Sequence, residues 1–261
     1  MRRNTSRSTI KLSVLSLLAV SLLALSNCSE SDRNLKFIDS IPDLTQTKIL
    51  GRASGDGQMY CAPVAVSNTI AWLIGNTKTQ QKLAIQLASK NYMATSIKSG
   101  TGTVGVTRGI ANFFPANNIK SLQYQGWRKH DAKYWGGSKI PTKAFVRSHV
   151  GANKGAWINL GWYKKQNGNL KRIGGHWVTL TGYNFGGSSK LFINDPSPRA
   201  GNEPMSHELS IQLLSKFRLI GKKHGLPRHG EGHWQVVNGL IANPKADVTL
   251  IDGIVGLELS Q

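Results

Sequence analysis

The chain has 261 residues, of which 33 are Lys or Arg and 13 are Asp or Glu, giving a formal net charge of +20 and a pI near 10.2. Its 39% of hydrophobic residues, with 7 Trp, 7 Phe and 6 Tyr, supply enough apolar surface for a packed core and exclude an intrinsically disordered chain. Two cysteines make at most one bridge, which excludes a disulfide-stapled scaffold, and after residue 30 no apolar run approaches the roughly 18 residues of a membrane span.

The first segment in chain order is a targeting signal. Arg2, Arg3, Arg7 and Lys11 form a basic start, and Leu12 to Leu25 a short apolar stretch without an acidic residue, which is the pattern of a secretory signal peptide over residues 1–27. The following Leu25-Ser26-Asn27-Cys28 resembles the lipobox of bacterial lipoproteins. That resemblance implies lipid on Cys28 and, with Ser29 where an Asp would hold the product at the inner membrane, an anchor in the outer membrane or on its periplasmic face; plain cleavage is the alternative. Losing residues 1–27 removes four basic charges from the +20 and leaves +16, a field that attracts polyanions and anionic surfaces. Residues 28–45 are polar and read as a tether, and residues 46–261 as one domain.

Gln58-Met59-Tyr60-Cys61-Ala62-Pro63 leads into a run in which Pro63, Val66, Ile70 and Leu73 recur at helical spacing, stopped by Gly75 and Asn76. The spacing predicts one buried helix with Cys61 at its N-terminus, since Pro is tolerated only in the first turn. Unpaired amides and the macrodipole there favour a thiolate, which is the nucleophilic form of cysteine. A buried structural cysteine, or a bridge from Cys61 to an unacylated Cys28, is the plainer reading of the same residue.

Thr79 to Lys90, with Leu83, Ile85 and Leu87, predicts an amphipathic helix, and Gly105 to Phe114 a short one ended by Pro115. From Lys120 to Arg172 there are 12 Lys and Arg and one acidic residue, Asp131, interleaved with Trp and Tyr. The preferred reading is an ordinary strand, with Trp157, Asn159 and Gly161 alternating with Ile158, Leu160 and Trp162, beside a solvated lysine face. The alternative is a surface for an anionic ligand, and for an exported protein that is an anionic polymer or peptide in preference to nucleic acid.

Gly174 to Tyr183 reads as a strand with His176 at its start, Asn184 to Ser189 as turn chemistry, and Lys190 to Pro196 as the returning strand. Pairing the two symmetrically about the turn places His176 directly opposite Asp195, where a carboxylate could hold the imidazole's tautomer. His207 to Phe217 predicts a helix, and residues 218–230 a basic loop containing His224 and His229. Gly232-His233-Trp234 then repeats the Gly-His-Trp opening, with Asp252 at the same interval from His233 as Asp195 from His176, so His233 and Asp252 form a second candidate pair. No zinc spacing, phosphate loop or EF-hand pattern occurs, and no cofactor or metal is expected.

A Cys at a helix start, then Gly-His-Trp-Val on a strand, then Asn194-Asp195-Pro196 closing the next strand resembles the papain-like cysteine peptidases, most closely the branch of bacteriocin-processing leader peptidases, over roughly residues 50–200. The resemblance implies an α+β fold in which a helical half carrying the cysteine packs on an antiparallel sheet carrying His and Asp. It implies Cys61 as nucleophile, His176 as general base, Asp195 as its orienting group and Gln58, three residues before the cysteine, as oxyanion donor. It favours His176 over His233 because Asn-Asp-Pro ends the strand as in that family. The expected activity is cleavage of peptide bonds in a peptide or protein substrate, with acyl transfer as a variant. The alternative from another class is a catalytically weak envelope module that binds an anionic polymer or peptide.

Overall fold

In the computed structural model, which describes residues 34–48, 57–197, 207–221, 228–239 and 243–261, three long strands organise the molecule. They are β3 (Lys154–Gln166), β4 (Asn169–Asn184) and β10 (Val248–Leu259), and β3 pairs antiparallel with both of the others. The remaining strands are β1 (Leu35–Phe37), β2 (Ile119–Gly126), β5 (Lys190–Asn194), β6 (His207–Leu213), β7 (Arg218–Ile220), β8 (Arg228–His229) and β9 (Trp234–Asn238). Following the ladders from β3 through β4, β5, β6, β9 and β10 returns to β3, so six antiparallel strands close into a barrel. Closure removes the sheet edges that would otherwise pair with other chains.

The barrel interior is built by strand alternation. Ala156, Ile158 and Leu160 of β3, Val178 and Leu180 of β4, Leu191 and Ile193 of β5, Leu209 and Ile211 of β6, and Trp234 and Val236 of β9 all join one buried cluster at a period of two. On β10 the same cluster takes Ile251 and Ile254, a step of three, because a bulge opposite β3 inserts Asp252 between Ile251 and Gly253. Four α-helices stand among the described residues: α1 (Cys61–Leu73), α2 (Gln80–Ala88), α3 (Thr103–Phe113) and α4 (Lys143–His149). α1, α2 and α3 share a second cluster with Trp157 of β3, Trp177 of β4 and Val255 and Leu257 of β10, the residues that alternation turns outward. None of the helices is long and apolar enough to cross a membrane.

This overturns the expected architecture. A papain-like helical half packed on an antiparallel sheet is absent among the described residues: the strands close on one another, α1, α2 and α3 lie against the outside of that barrel, and α4 sends Phe145 and Val146 into its interior cluster. The segment read as a helix from His207 to Phe217 is strand β6, with Leu209 and Ile211 buried and Leu213 67% exposed. The tether expected over residues 28–45 also ends early, because β1 pairs with β4 through Leu35, Lys36 and Phe37, and Ile41 and Thr45 are buried. The signal peptide and the lipidation position Cys28 lie outside the described residues.

Candidate active site

The nucleophile candidate is presented by α1, in which every residue from Ala62 to Ala71 is buried. Its polar groups fasten it to the barrel. Ala65 O accepts from Trp157 Nε1 at 3.1 Å and from the Thr179 hydroxyl at 2.7 Å, and Asn68 Nδ2 donates to Thr179 Oγ1 at 3.2 Å. Asn68 Oδ1 accepts from Leu44 N at 3.2 Å and from Gln80 Nε2, so one side chain ties α1 to β4, to α2 and to the incoming chain. Cys61 is thereby held, half-buried and unbridged, as the first residue of the helix. The first turn leaves the Cys61 and Ala62 N–H groups without intrahelical acceptors, and Pro63 has none to satisfy.

His176 pairs with Leu160 across the β3–β4 ladder, and by alternation it continues the Val178–Leu180 column of β4. On its other edge β4 is unpaired between Lys171, held by β7, and Thr179, held by β5. The hairpin register differs from the symmetric pairing: Thr179 faces Asn194 and a bulge follows between Leu180 and Gly182, so Asp195, one residue beyond β5, stands level with Val178. His176 is its diagonal neighbour on the same face, a separation that side chains span. His176 Nε2 and Asp195 Oδ1 are 2.6 Å apart, the imidazole 11% and the carboxylate 3% exposed. With Nε2 on Asp195, Nδ1 is the ring's other nitrogen, and the Cys61 side chain is near enough to the ring to raise its pKa. Trp162 lies nearly parallel to the imidazole with ring centroids 6.0 Å apart.

Burial alone would lower the His176 pKa, but the hydrogen bond and charge of Asp195, with a smaller contribution from Cys61, overturn that and raise it from 6.5 to about 10. Burial likewise raises Asp195, and its hydrogen bonds to His176 and to Ser197 N, with the imidazolium's charge, more than reverse this and bring it to about 2. At neutral pH the pair is an imidazolium on a carboxylate, with a sulfur as the ring's third partner. Cys61, His176 and Asp195 are therefore brought together.

Gln58 is not placed as an oxyanion donor by anything in its surroundings: its side chain is exposed, and its carbonyl accepts from Gln46 Nε2 at 2.7 Å. Gln46 itself was missed by sequence reasoning. It is buried, its backbone N–H donates to Pro196 O at 2.8 Å, and the neighbouring Thr45 hydroxyl donates to Ser197 O at 2.9 Å. Residues 45 and 46 thus clamp the turn before Cys61 to the turn that carries Asp195. The contact is close enough that a Cβ on Gly57, which has φ +73°, would lie 1.9 Å from Gln46 O. An isolated Gln fifteen residues before the cysteine, with no periodicity around it, offers no local signal of this role.

The second pair is not a site. Extending the β9–β10 ladder of Thr249 with Val236 and Leu250 with Gln235 does put His233 level with Asp252. Asp252 is nevertheless taken: fully buried, it receives Arg172 Nε at 2.6 Å, Trp127 Nε1 at 2.9 Å and the Tyr163 hydroxyl. His233 binds Gly230 O through Nδ1 at 3.0 Å, and burial, first among its influences, lowers its pKa. Among the described residues no three of His, Cys, Asp and Glu group as a metal ion would need.

The basic stretch divides in the same way. β3 is buried on both faces, Trp157 beneath α1 and Ile158 and Leu160 inside the barrel. The loop after β2 carries the exposed part, with Arg128 4.9 Å from the Trp127 ring and His130 stacked on Trp135 at 4.6 Å. That loop begins at Trp127, whose backbone N–H donates to Asp252 O and whose indole donates to the Asp252 carboxylate. Comparison with protein-family models and with the sequences of curated proteins gives no match, so the reading of this site rests on its geometry.

Proposed function

We propose that the chain is a cysteine-dependent hydrolase of amide bonds, a peptidase acting through Cys61, His176 and Asp195. One observation carries the reading: a half-buried thiol at the start of a buried helix lies near enough to act on the charge of an imidazole that a buried carboxylate holds at 2.6 Å. A structural cysteine has no need of a charged partner, whereas a nucleophile needs a base and the base an orienting acceptor.

In the proposed reaction the Cys61 thiolate adds to the substrate carbonyl carbon, forming a C–S bond and an alkoxide that the Cys61 and Ala62 N–H groups face. The His176 imidazolium gives its proton to the amide nitrogen as the C–N bond breaks, and the amine leaves. Neutral His176 then takes a proton from water, whose oxygen displaces the thiolate from the thioester. Asp195 stays ionised throughout and keeps Nε2–H turned towards itself. We also propose, from residues 1–28, that the enzyme works outside the cytoplasm on a lipid anchor at Cys28.

Iodoacetamide labelling of Cys61 tests the triad. We expect labelling at pH 7 to be faster than for a free thiol peptide and to fall about tenfold or more in His176→Ala, while Cys61→Ser abolishes release of peptides from an envelope-protein digest. Equal labelling rates in wild type and His176→Ala would overturn the hydrolase reading.

A further inference from the structure

A cavity of about 370 Å³ is walled by the Gly100 to Gly105 backbone and by two cations, Arg108 of α3 and Lys129 of the loop after β2. Two contacts fix its place relative to the triad. A Cβ on Gly100 would lie 3.5 Å from Met59 O, two residues before Cys61. The Thr101 carbonyl accepts from Trp177 Nε1 at 2.9 Å, and Trp177 is the residue after His176. The cavity is thus bracketed by the segments carrying the nucleophile and the base.

Its charge is one-sided, since neither Asp nor Glu lines it. Arg108 spends Nε on Tyr92 O at 2.8 Å, which orients the guanidinium and leaves its two terminal nitrogens as donors. Lys129 is set by its neighbour: Arg128 N donates to the Tyr124 hydroxyl at 3.1 Å. Gly102, in the cavity wall, has nothing within 4 Å of where a Cβ would sit.

We propose that this cavity is a substrate subsite that takes an acidic side chain, so that the enzyme prefers peptides carrying Glu or Asp near the cleaved bond. The proposal rests on the hydrolase reading, to which it adds the substrate class. An acidic peptide fits better than an extended polyanion because the two cations line one cavity, flanked by the segments that carry the proposed nucleophile and base.

The test measures how well octapeptides protect Cys61 from iodoacetamide. The peptides are acetylated and amidated, and one Glu is moved along an Ala and Gln background. At low salt we expect at least one Glu position to protect about fivefold better than its Gln counterpart, with the advantage lost in 0.5 M salt, as screening demands. The Arg108→Gln/Lys129→Gln variant should lose it, and Lys129→Glu should reduce or invert it, with melting curves unchanged. Equal protection by Glu and Gln peptides at every position, or a preference that survives in the double variant, would overturn the subsite. Protection by dextran sulfate but by no acidic peptide would overturn it too, and would assign the charge to a polymer. Labelling that ignores His176 defeats the hydrolase reading, whereas His176-dependent labelling without a Glu preference defeats the subsite alone.

Discussion

His176 and Asp195 hold each other in their charged forms, and the consequence for pH follows from the directions of their shifts. His176 is raised from 6.5 to about 10, so its share of stability is complete below 6.5 and is lost as pH climbs through 10. Asp195 is depressed from 3.8 to about 2, so its share is present above 3.8 and is lost as pH falls towards 2. We expect urea unfolding free energies to be level in this respect between about pH 3.8 and 6.5 and to decline from there towards pH 10, and amide hydrolysis to fail on the alkaline side near pH 10, where the leaving amine finds no proton. Asp195→Asn should bring that alkaline limb down towards neutrality, which a pH–rate profile of the variant checks. The pair itself was readable from the chain because Gly-His-Trp and Asn-Asp-Pro bracket a turn. Its geometry was not, because the turn centres on Gly187 rather than between Phe185 and Gly186, and the bulge after Leu180 only partly restores the symmetric register. The second hairpin makes the converse point: its symmetric register holds, yet Asp252 serves an arginine. Strand pairing sets which residues come near one another, and the third partner decides the chemistry.

At the scale of elements, α1 was well marked, since Pro63 near its start and Gly75 past its end are local signals. How it seats is a matter of its buried polar side chains. Asn68 meets Thr179 of β4, Gln80 of α2 and Leu44 of the incoming loop, so Asn68→Ala leaves buried groups unmatched at three places. We expect it to cost about 2–3 kcal/mol, read as a lower urea midpoint at unchanged slope, and to slow Cys61 labelling by loosening the helix that carries it. β6 shows why its sequence was misread: His207 to Phe217 satisfies a helical spacing with Leu209, Leu213 and Leu214 as readily as it alternates. Only the neighbours β5 and β9 decide for alternation, leaving Leu213 outside.

For the whole molecule, the closed barrel was beyond local reading, because β3 and β10 each look like an ordinary strand and nothing near either names the other. What marks their junction is a buried charge. Asp252 leaves the alternation of β10 at the bulge and accepts from Arg172, Tyr163 and Trp127, and a Cβ on Gly161 would lie 2.4 Å from its carboxylate. Burial would lower the Arg172 pKa, and Asp252 outweighs that and raises it. Asp252→Asn strands the guanidinium and should destabilise the fold by about 3–5 kcal/mol, whereas Arg172→Met with Asp252→Leu should recover much of that loss; guanidinium titrations of the three proteins give the comparison.

The β3–β10 ladder joins residues 85 to 104 positions apart, from Tyr163 with Val248 to Lys154 with Glu258. Such distant partners meet late, because the intervening chain must first be confined. Until they do, the sheet of β3, β4, β5, β6 and β9 stays open along β3, and the cluster on which α1 rests lacks Val255 and Leu257 of β10. The seat of the helix that presents Cys61 is consequently finished only when synthesis has passed residue 257.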